Sequence, residues 1–290
     1  FPTRRSSDLW VARWGEADTR ALLDANNREA PLVIRPWGVV REQLEAMLEA
    51  AGVQVSDAPL VRDSLSISGA ALTELGAFQQ GLFFVQDPAA TLVTQYAAIP
   101  AGATVADLCA APGGKTVELS RVARTVIAAD ASAARLARVR ETIDRLELVN
   151  VLPMVTDARF PALAPVDAVL VDAPCTGTGT FRRHPDARWR LRTSDLAVLA
   201  ATQRSILRAA ASVVKTGGLL LYSTCDLNRA YNISVLIHYV LAFLGCWLLA
   251  RRLDLSPLAA AFSALVYVYS WFPPRISLEW AIVGGAWLPV

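Results

Sequence analysis

The chain of 290 residues reads as an α/β protein with a doubly wound parallel sheet, preceded by a small α+β module. Three observations predict this. From Ala103 to Cys225 short β-type runs alternate with helical stretches. Four of these runs end on an acid, Asp107, Asp130, Asp157 and Asp172, and a fifth ends on Cys225. A turn of small residues, Cys109 to Gly114, joins the first strand to its helix. In such sheets ligands sit at the carboxyl ends of the strands, so the acids and the thiol mark one working edge.

Taken in order, FPTRRSSDL (residues 1–9) has no apolar period and reads as a translated sequencing adapter, hence artefactual or disordered. Residues 10–86 form the expected module: a helix over 10–27, a strand over 31–39 and an amphipathic helix over 40–51. Gly52 closes that helix, and short strands follow at 53–55, 65–67 and 81–85. Asp87 caps the next helix with Pro88 at its first position, which opens the second domain, 87–228. Its strands are ATVADL, TVIAAD, VNVLPMVTD, VDAVLVDAP and LLLYSTC, with helices at 115–123, 132–146 and about 194–214. Beyond Tyr231 only Arg251, Arg252, Asp254, Arg275 and Glu279 are charged, and 229–290 reads as a hydrophobic, membrane-protein-like helical tail.

That tail explains a mean hydropathy of +0.36, which is high for a soluble enzyme. A net charge of +2 gives no electrostatic case for nucleic acid. The four cysteines are irregularly spaced and read as reduced thiols. No C-x-x-C is present and His184 and His238 are far apart, so no metal is expected.

The turn VADLCAAPGGKT fails two nucleotide patterns. A Walker loop needs glycine where Cys109 stands, and a dinucleotide fingerprint needs G-x-G-x-x-G where only the pair Gly113-Gly114 occurs. A strand-end acid followed by Pro-Gly-Gly-Lys fits an S-adenosylmethionine site better, on a Rossmann-like sheet. Two further segments carry chemistry, Asp172-Ala173-Pro174-Cys175 and Ser223-Thr224-Cys225. C5 of cytosine is a poor nucleophile; a thiolate adding at C6 makes it enamine-like and able to attack a methylsulfonium. An acid must then hold or protonate N3, and a base must take the C5 proton. Chemistry alone does not choose between Cys175 and Cys225. Cys109 and Cys246 read as structural.

DLCAAPGGKT, DAPCTGTGTFRRHPD and YSTC resemble the bacterial 16S rRNA cytosine-C5 methyltransferases of the Sun (Fmu) type, in the NOP2/Sun family. GLFFVQDPAA and ANNREAPLVIRPW are similar to the RNA-binding module before that family's catalytic domain. The resemblance spans roughly 10–228. It implies a cytoplasmic enzyme that binds S-adenosylmethionine through Cys109, Ala110, Ala111, Pro112, Gly113, Gly114 and Lys115. Asp130 would take the ribose hydroxyls, Asp157 would lie by the adenine, and Asp172 by the methionine end and the target base. It further implies Cys225 as nucleophile, Cys175 as the group assisting product release, and 16S rRNA as partner. Arg182 and Arg183 are candidates for phosphate contact.

Two departures set the chain apart. It begins after the point where the helical domain of longer members would finish. After Cys225 the family's acidic stretch and two further strands are replaced by DLNRAYN and ISVLIHYVLAFLGCWLLA, residues 233–250, uncharged and long enough for a membrane span. Residues 233–290 are therefore the one route to a membrane, and the tail resembles a fragment of a polytopic membrane protein. The alternative reading is a chimeric or inactive product.

Overall fold

A computed structural model describes residues 4–227. The chain opens with α1 (Arg4–Asn27), which bends at Gly15, where φ is 81°. Trp10 is 1% exposed and packs on Phe181, with ring centroids 6.2 Å apart. This corrects the expectation for residues 1–9, which are helical from Arg4 onward. Once Trp10 anchors a turn, each added residue extends a helix without repeating the cost of nucleation.

The module follows as β1 (Leu32–Pro36), α2 (Arg41–Ala50), β2 (Gln54–Asp57), β3 (Leu65–Ser68), the single turn α3 (Gly76–Gln79) and β4 (Phe83–Val85). Its strands pair antiparallel in the order β2-β3-β1-β4. Leu44 and Leu48 of α2 press onto Ile34, Leu65 and Phe83, which gives the module its own apolar core.

Next comes α4 (Pro88–Tyr96), whose cap forms as expected: the Asp87 carboxylate accepts from Ala89 N–H at 2.9 Å. The second sheet is built from β5 (Thr104–Asp107), β6 (Thr125–Asp130), β7 (Val151–Val155), β8 (Val166–Asp172) and β9 (Val214–Ser223). Its helices are α5 (Gly114–Ser120), α6 (Ala133–Leu146), the short α7 (Ala187–Arg190) and α8 (Thr193–Ser212). All four pairings are parallel, in the order β7-β6-β5-β8-β9. Because alternate residues face opposite ways, Val105 and Leu170 enter the core on one face, while Ala106 and Val169 join α8 on the other. The third strand stops at Val155 and the fifth at Ser223, two residues short of Asp157 and Cys225. The fifth begins earlier than expected, with the extra residues absorbed where its register jumps from Val166↔Val214 to Ala168↔Leu219.

The two sheets are locked together. Arg35 of β1 makes a two-pronged ion pair with Glu118 of α5, at 2.8 and 3.3 Å, with both side chains about 5% exposed or less. Arg121 donates to Pro36 O at 2.6 Å and lies over the Trp37 ring. Trp37 Nε1 donates to Leu146 O at 2.9 Å, and Arg145 donates to Phe83 O at 2.8 Å. Phe84 of β4 belongs to the core of the second sheet, not to that of the module. At Gly81 (φ 72°) an added Cβ would stand 2.0 Å from the backbone oxygen of Arg145, so glycine alone fits.

The apolar tail, 229–290, lies outside the described residues. Among the described residues no helix is long and apolar enough to cross a membrane.

Candidate active site

The strand order places the chemistry-bearing ends side by side along one edge: Asp157 beyond β7, Asp130 on β6, Asp107 on β5, Asp172 on β8 and Cys225 beyond β9. The order reverses between β5 and β8, and there a cavity of about 170 Å³ opens, lined by Asp107, Cys109 to Pro112, Gly114, Lys115 and Asp172. Val85, Gln86, Asp87 and Ala90 close it from the side of β4 and α4. A crevice at such a reversal is where open α/β sheets take their ligands.

Asp107 is the buried acid of this crevice. Thr116 Oγ1 donates to one carboxyl oxygen at 2.7 Å, while Oδ1 has no hydrogen-bond partner among the described residues. Burial pushes its pKa up to about 7 against the Thr116 bond, with Asp172 adding to the rise. Lys115 Nζ donates to Asp172 Oδ2 at 2.7 Å. Burial works against the lysine's charge, but Asp172 outweighs it and holds Lys115 above the ordinary range. Cys109 sits in the same wall, and burial, reinforced by Asp107, pushes its thiol up to about 12. It stays a protonated, unreactive wall residue.

Along the edge lie the other two thiols. Cys175 Sγ and Cys225 Sγ are 3.0 Å apart and joined by a hydrogen bond. That bond lowers Cys175 and, together with burial, raises Cys225, so the pair favours one thiolate and resists two. The backbone enforces the approach. Gly179 N–H donates to Cys225 O at 2.8 Å, and a Cβ on Gly179 would meet that oxygen at 2.6 Å. Asp226 completes the clasp, accepting from Thr176 Oγ1 at 2.6 Å and Thr178 Oγ1 at 2.9 Å, all three residues being buried. A second cavity of about 350 Å³, lined by Cys175, Thr176, Arg190, Leu191 and Asp195 among others, opens beside the pair.

The loop carrying Cys175 is moored to the linker after α1. Arg182 donates to Glu29 O at 2.6 Å, and Arg183 donates to Pro31 O at 3.0 Å and pairs with Asp87 at 2.7 Å. Arg188 reaches Asn27 Oδ1 at 2.6 Å and Phe181 O at 3.1 Å. The two arginines singled out for phosphate thus hold protein atoms in this arrangement. Asp130 and Asp157 are on the expected edge but not in the lining of the crevice. Asp130 accepts from Ser132 N–H and from the Arg135 guanidinium, both at 2.8 Å. The half-buried Asp157 is gripped by the Arg159 side chain, whose hydrogen bonds hold its carboxyl below the usual range. Gln86 and Asp226 were missed from the sequence. The position of Asp226 next to Cys225 was the available signal, whereas Gln86 gave none.

The residues present fit S-adenosylmethionine: a buried acceptor, Asp107 Oδ1, and a buried donor, Gln86 Nε2, border the crevice with no partner among the described residues. Fold and site together define a methyltransferase with a Rossmann-like parallel sheet. A methyltransferase homologue from Pyrococcus horikoshii superimposes with a TM-score of 0.68 at 27% identity, over 79% of this chain and 75% of that one. The NSun6 protein of Pyrococcus horikoshii, solved with the ligand SFG, has the same fold, with a TM-score of 0.72 over 80% of this chain and 86% of that one. The model of the 16S rRNA methyltransferase RsmB/F family matches residues 97–250, and the chain belongs to this S-adenosylmethionine-dependent family. Ribosomal RNA small subunit methyltransferase B of Vibrio cholerae is 40% identical over 73% of this chain and 50% of its own length. The protein of that name from Erwinia tasmaniensis is 39% identical over 79% and 54%. The chain spans about half the length of the curated relatives it matches.

Proposed function

We propose that this chain methylates C5 of a cytosine in 16S rRNA, with Cys225 as the nucleophile. The observation that carries the reading is the thiol pair, 3.0 Å apart on the strand edge that also bears Asp172 and Lys115. S-adenosylmethionine, when bound, supplies an electrophilic methyl group. Cys109 to Lys115 would line its site, with Asp130 directed to the ribose and Asp157 to the adenine side. The module, residues 10–86, would hold the RNA next to the catalytic domain, residues 87–228, and the cavity beside Cys175 has room for an extruded pyrimidine.

The residues divide the work as follows. Cys175 accepts the proton of Cys225, and the freed sulfur bonds to C6 of the base. Solvent supplies a proton to N3 as the sulfur adds. Asp172, held by Lys115, steadies it there while C5 becomes nucleophilic, and it returns to solvent when the ring is restored. Cys175 then passes its own proton to solvent and stands as the base nearest C5. Removal of the C5 proton expels the Cys225 sulfur from C6 as a thiolate and restores the aromatic ring.

The test is transfer of labelled methyl from S-adenosylmethionine to 16S rRNA by the whole chain. Cys225→Ala is expected to lower transfer at least about 1,000-fold. Cys175→Ala is expected to form the adduct more slowly but to release it more slowly still, so that a covalent protein–RNA adduct accumulates over time on a denaturing gel. Full transfer by Cys225→Ala would remove it as nucleophile.

A further inference from the structure

Gln86 closes the crevice from the end of β4, and nothing in the chemistry above uses it. The residue is 4% exposed. Thr91 Oγ1 donates to Gln86 Oε1 at 2.8 Å, which fixes the amide plane. The backbone is fixed as well, since Gln86 N–H donates to Val33 O at 3.1 Å. Gln86 Nε2 is left buried with no partner among the described residues, beside Gly114, where an added Cβ would stand 3.4 Å from it. A buried amide donor without an acceptor is costly, and native proteins rarely tolerate one unless a ligand completes it.

The group it awaits follows from its neighbours. If methyl is to be delivered toward the thiols, the amino-acid arm of the cofactor lies at the β5–β8 end of the edge, in this crevice. That arm carries an ammonium and a carboxylate. Asp107 and Asp172 supply acceptors suited to the ammonium, and Lys115, the cation in the crevice wall, gives one of its three N–H donors to Asp172. A carboxylate with several lone pairs to fill takes a second donor from across the crevice, and Gln86 Nε2 is the buried one with no partner among the described residues.

We propose that Gln86 donates through Nε2 to the α-carboxylate of the cofactor's methionine portion, so that the amino-terminal module, through the residue that follows β4, supplies part of the cofactor site. This rests on the reading of the crevice as an S-adenosylmethionine site. It gives the tight docking of the two sheets a second purpose: a donor carried just after β4 keeps its aim only while β1 and β4 stay fixed against α5 and α6.

The experiment is calorimetric titration of the whole chain with S-adenosylhomocysteine and with its decarboxylated analogue, comparing the natural protein with Gln86→Leu and Gln86→Glu. Ligand-free melting of each variant reports whether its fold is intact. Loss of a hydrogen bond to a charged group predicts that Gln86→Leu weakens S-adenosylhomocysteine about 10- to 100-fold. Gln86→Glu, which aims a second carboxylate at the first, should weaken it at least as much. The decarboxylated analogue should bind all three proteins within about twofold, because it lacks the group Gln86 reads. Unchanged S-adenosylhomocysteine binding in Gln86→Leu would overturn the inference alone. Equal weakening of both ligands would also overturn it, by showing a structural role. No binding of either ligand to the natural protein would overturn the cofactor reading, and this inference with it.

Discussion

The working edge has two halves that use one kind of side chain in opposite ways. On the cofactor side Cys109 stands beside the buried Asp107 and is held protonated, its pKa raised to about 12 by burial and neighbouring acid. On the other side Cys175 and Cys225 face each other at 3.0 Å, and the bond between them pulls Cys175 down. Few strand positions separate the two settings. All three thiols have carboxylates nearby, and what sets Cys175 apart is the hydrogen bond from a second thiol. Reactivity here is a property of the neighbour and not of the residue type.

This contrast can be broken in three ways, and the largest effect concerns the thiols. At pH 7.5 a simple alkylating agent should modify Cys175, the lowered thiol of the pair, at least about 1,000-fold faster than Cys109. Mass spectrometry of time-quenched samples reads the order directly, and early modification of Cys109 would erase the distinction.

The next effect concerns Asp107. Its folded pKa of about 7 lies above the ordinary 3.8, so the folded chain keeps a proton that the unfolded chain has already lost. Stability conferred by this group is therefore present below about pH 4 and declines as pH rises toward 7. In ligand-free protein Asp107→Asn should match the natural chain at pH 4 and exceed it at pH 8, by up to about 4 kcal/mol in denaturant unfolding. A difference that does not change with pH would show that Asp107 ionises normally.

The smallest effect is on the clasp. Asp226→Ala leaves the buried hydroxyls of Thr176 and Thr178 without their acceptor, for a loss of about 1–3 kcal/mol. It should also separate the two thiols and bring the alkylation rate of Cys175 toward that of an ordinary cysteine.

Much of this was legible before any coordinates. Parallel strands carry their ends to one edge, so strand-final acids and a strand-final cysteine are legible from alternation and turn chemistry alone, as Asp107, Asp172 and Cys225 are. Cys175, by contrast, stands out only in the Pro-Cys segment after Asp172 and takes its role from the family resemblance. The illegible part consists of contacts between elements distant in the chain. Arg182 and Arg183 look like phosphate ligands in a sequence, but their acceptors are backbone oxygens of residues 29 and 31, which no pattern announces. Gln86 follows a strand of the module and acquires significance only because that strand packs beside Gly114. The helix at residues 4–9 was hidden for the same reason, since its anchor is the distant Phe181.

The contact at Gly81 bears on inheritance. A side chain there collides with the backbone oxygen of Arg145, and a backbone atom cannot be trimmed by mutating its residue. No compensating substitution on α6 can therefore rescue a replacement at position 81; only a shift of the whole helix can. Recombination that exchanges the module for a diverged one must bring a glycine at that point and the same spacing against α6. Residues 10–86 look like a detachable cassette in the sequence, yet at Gly81 they are cut to fit the sheet they cover.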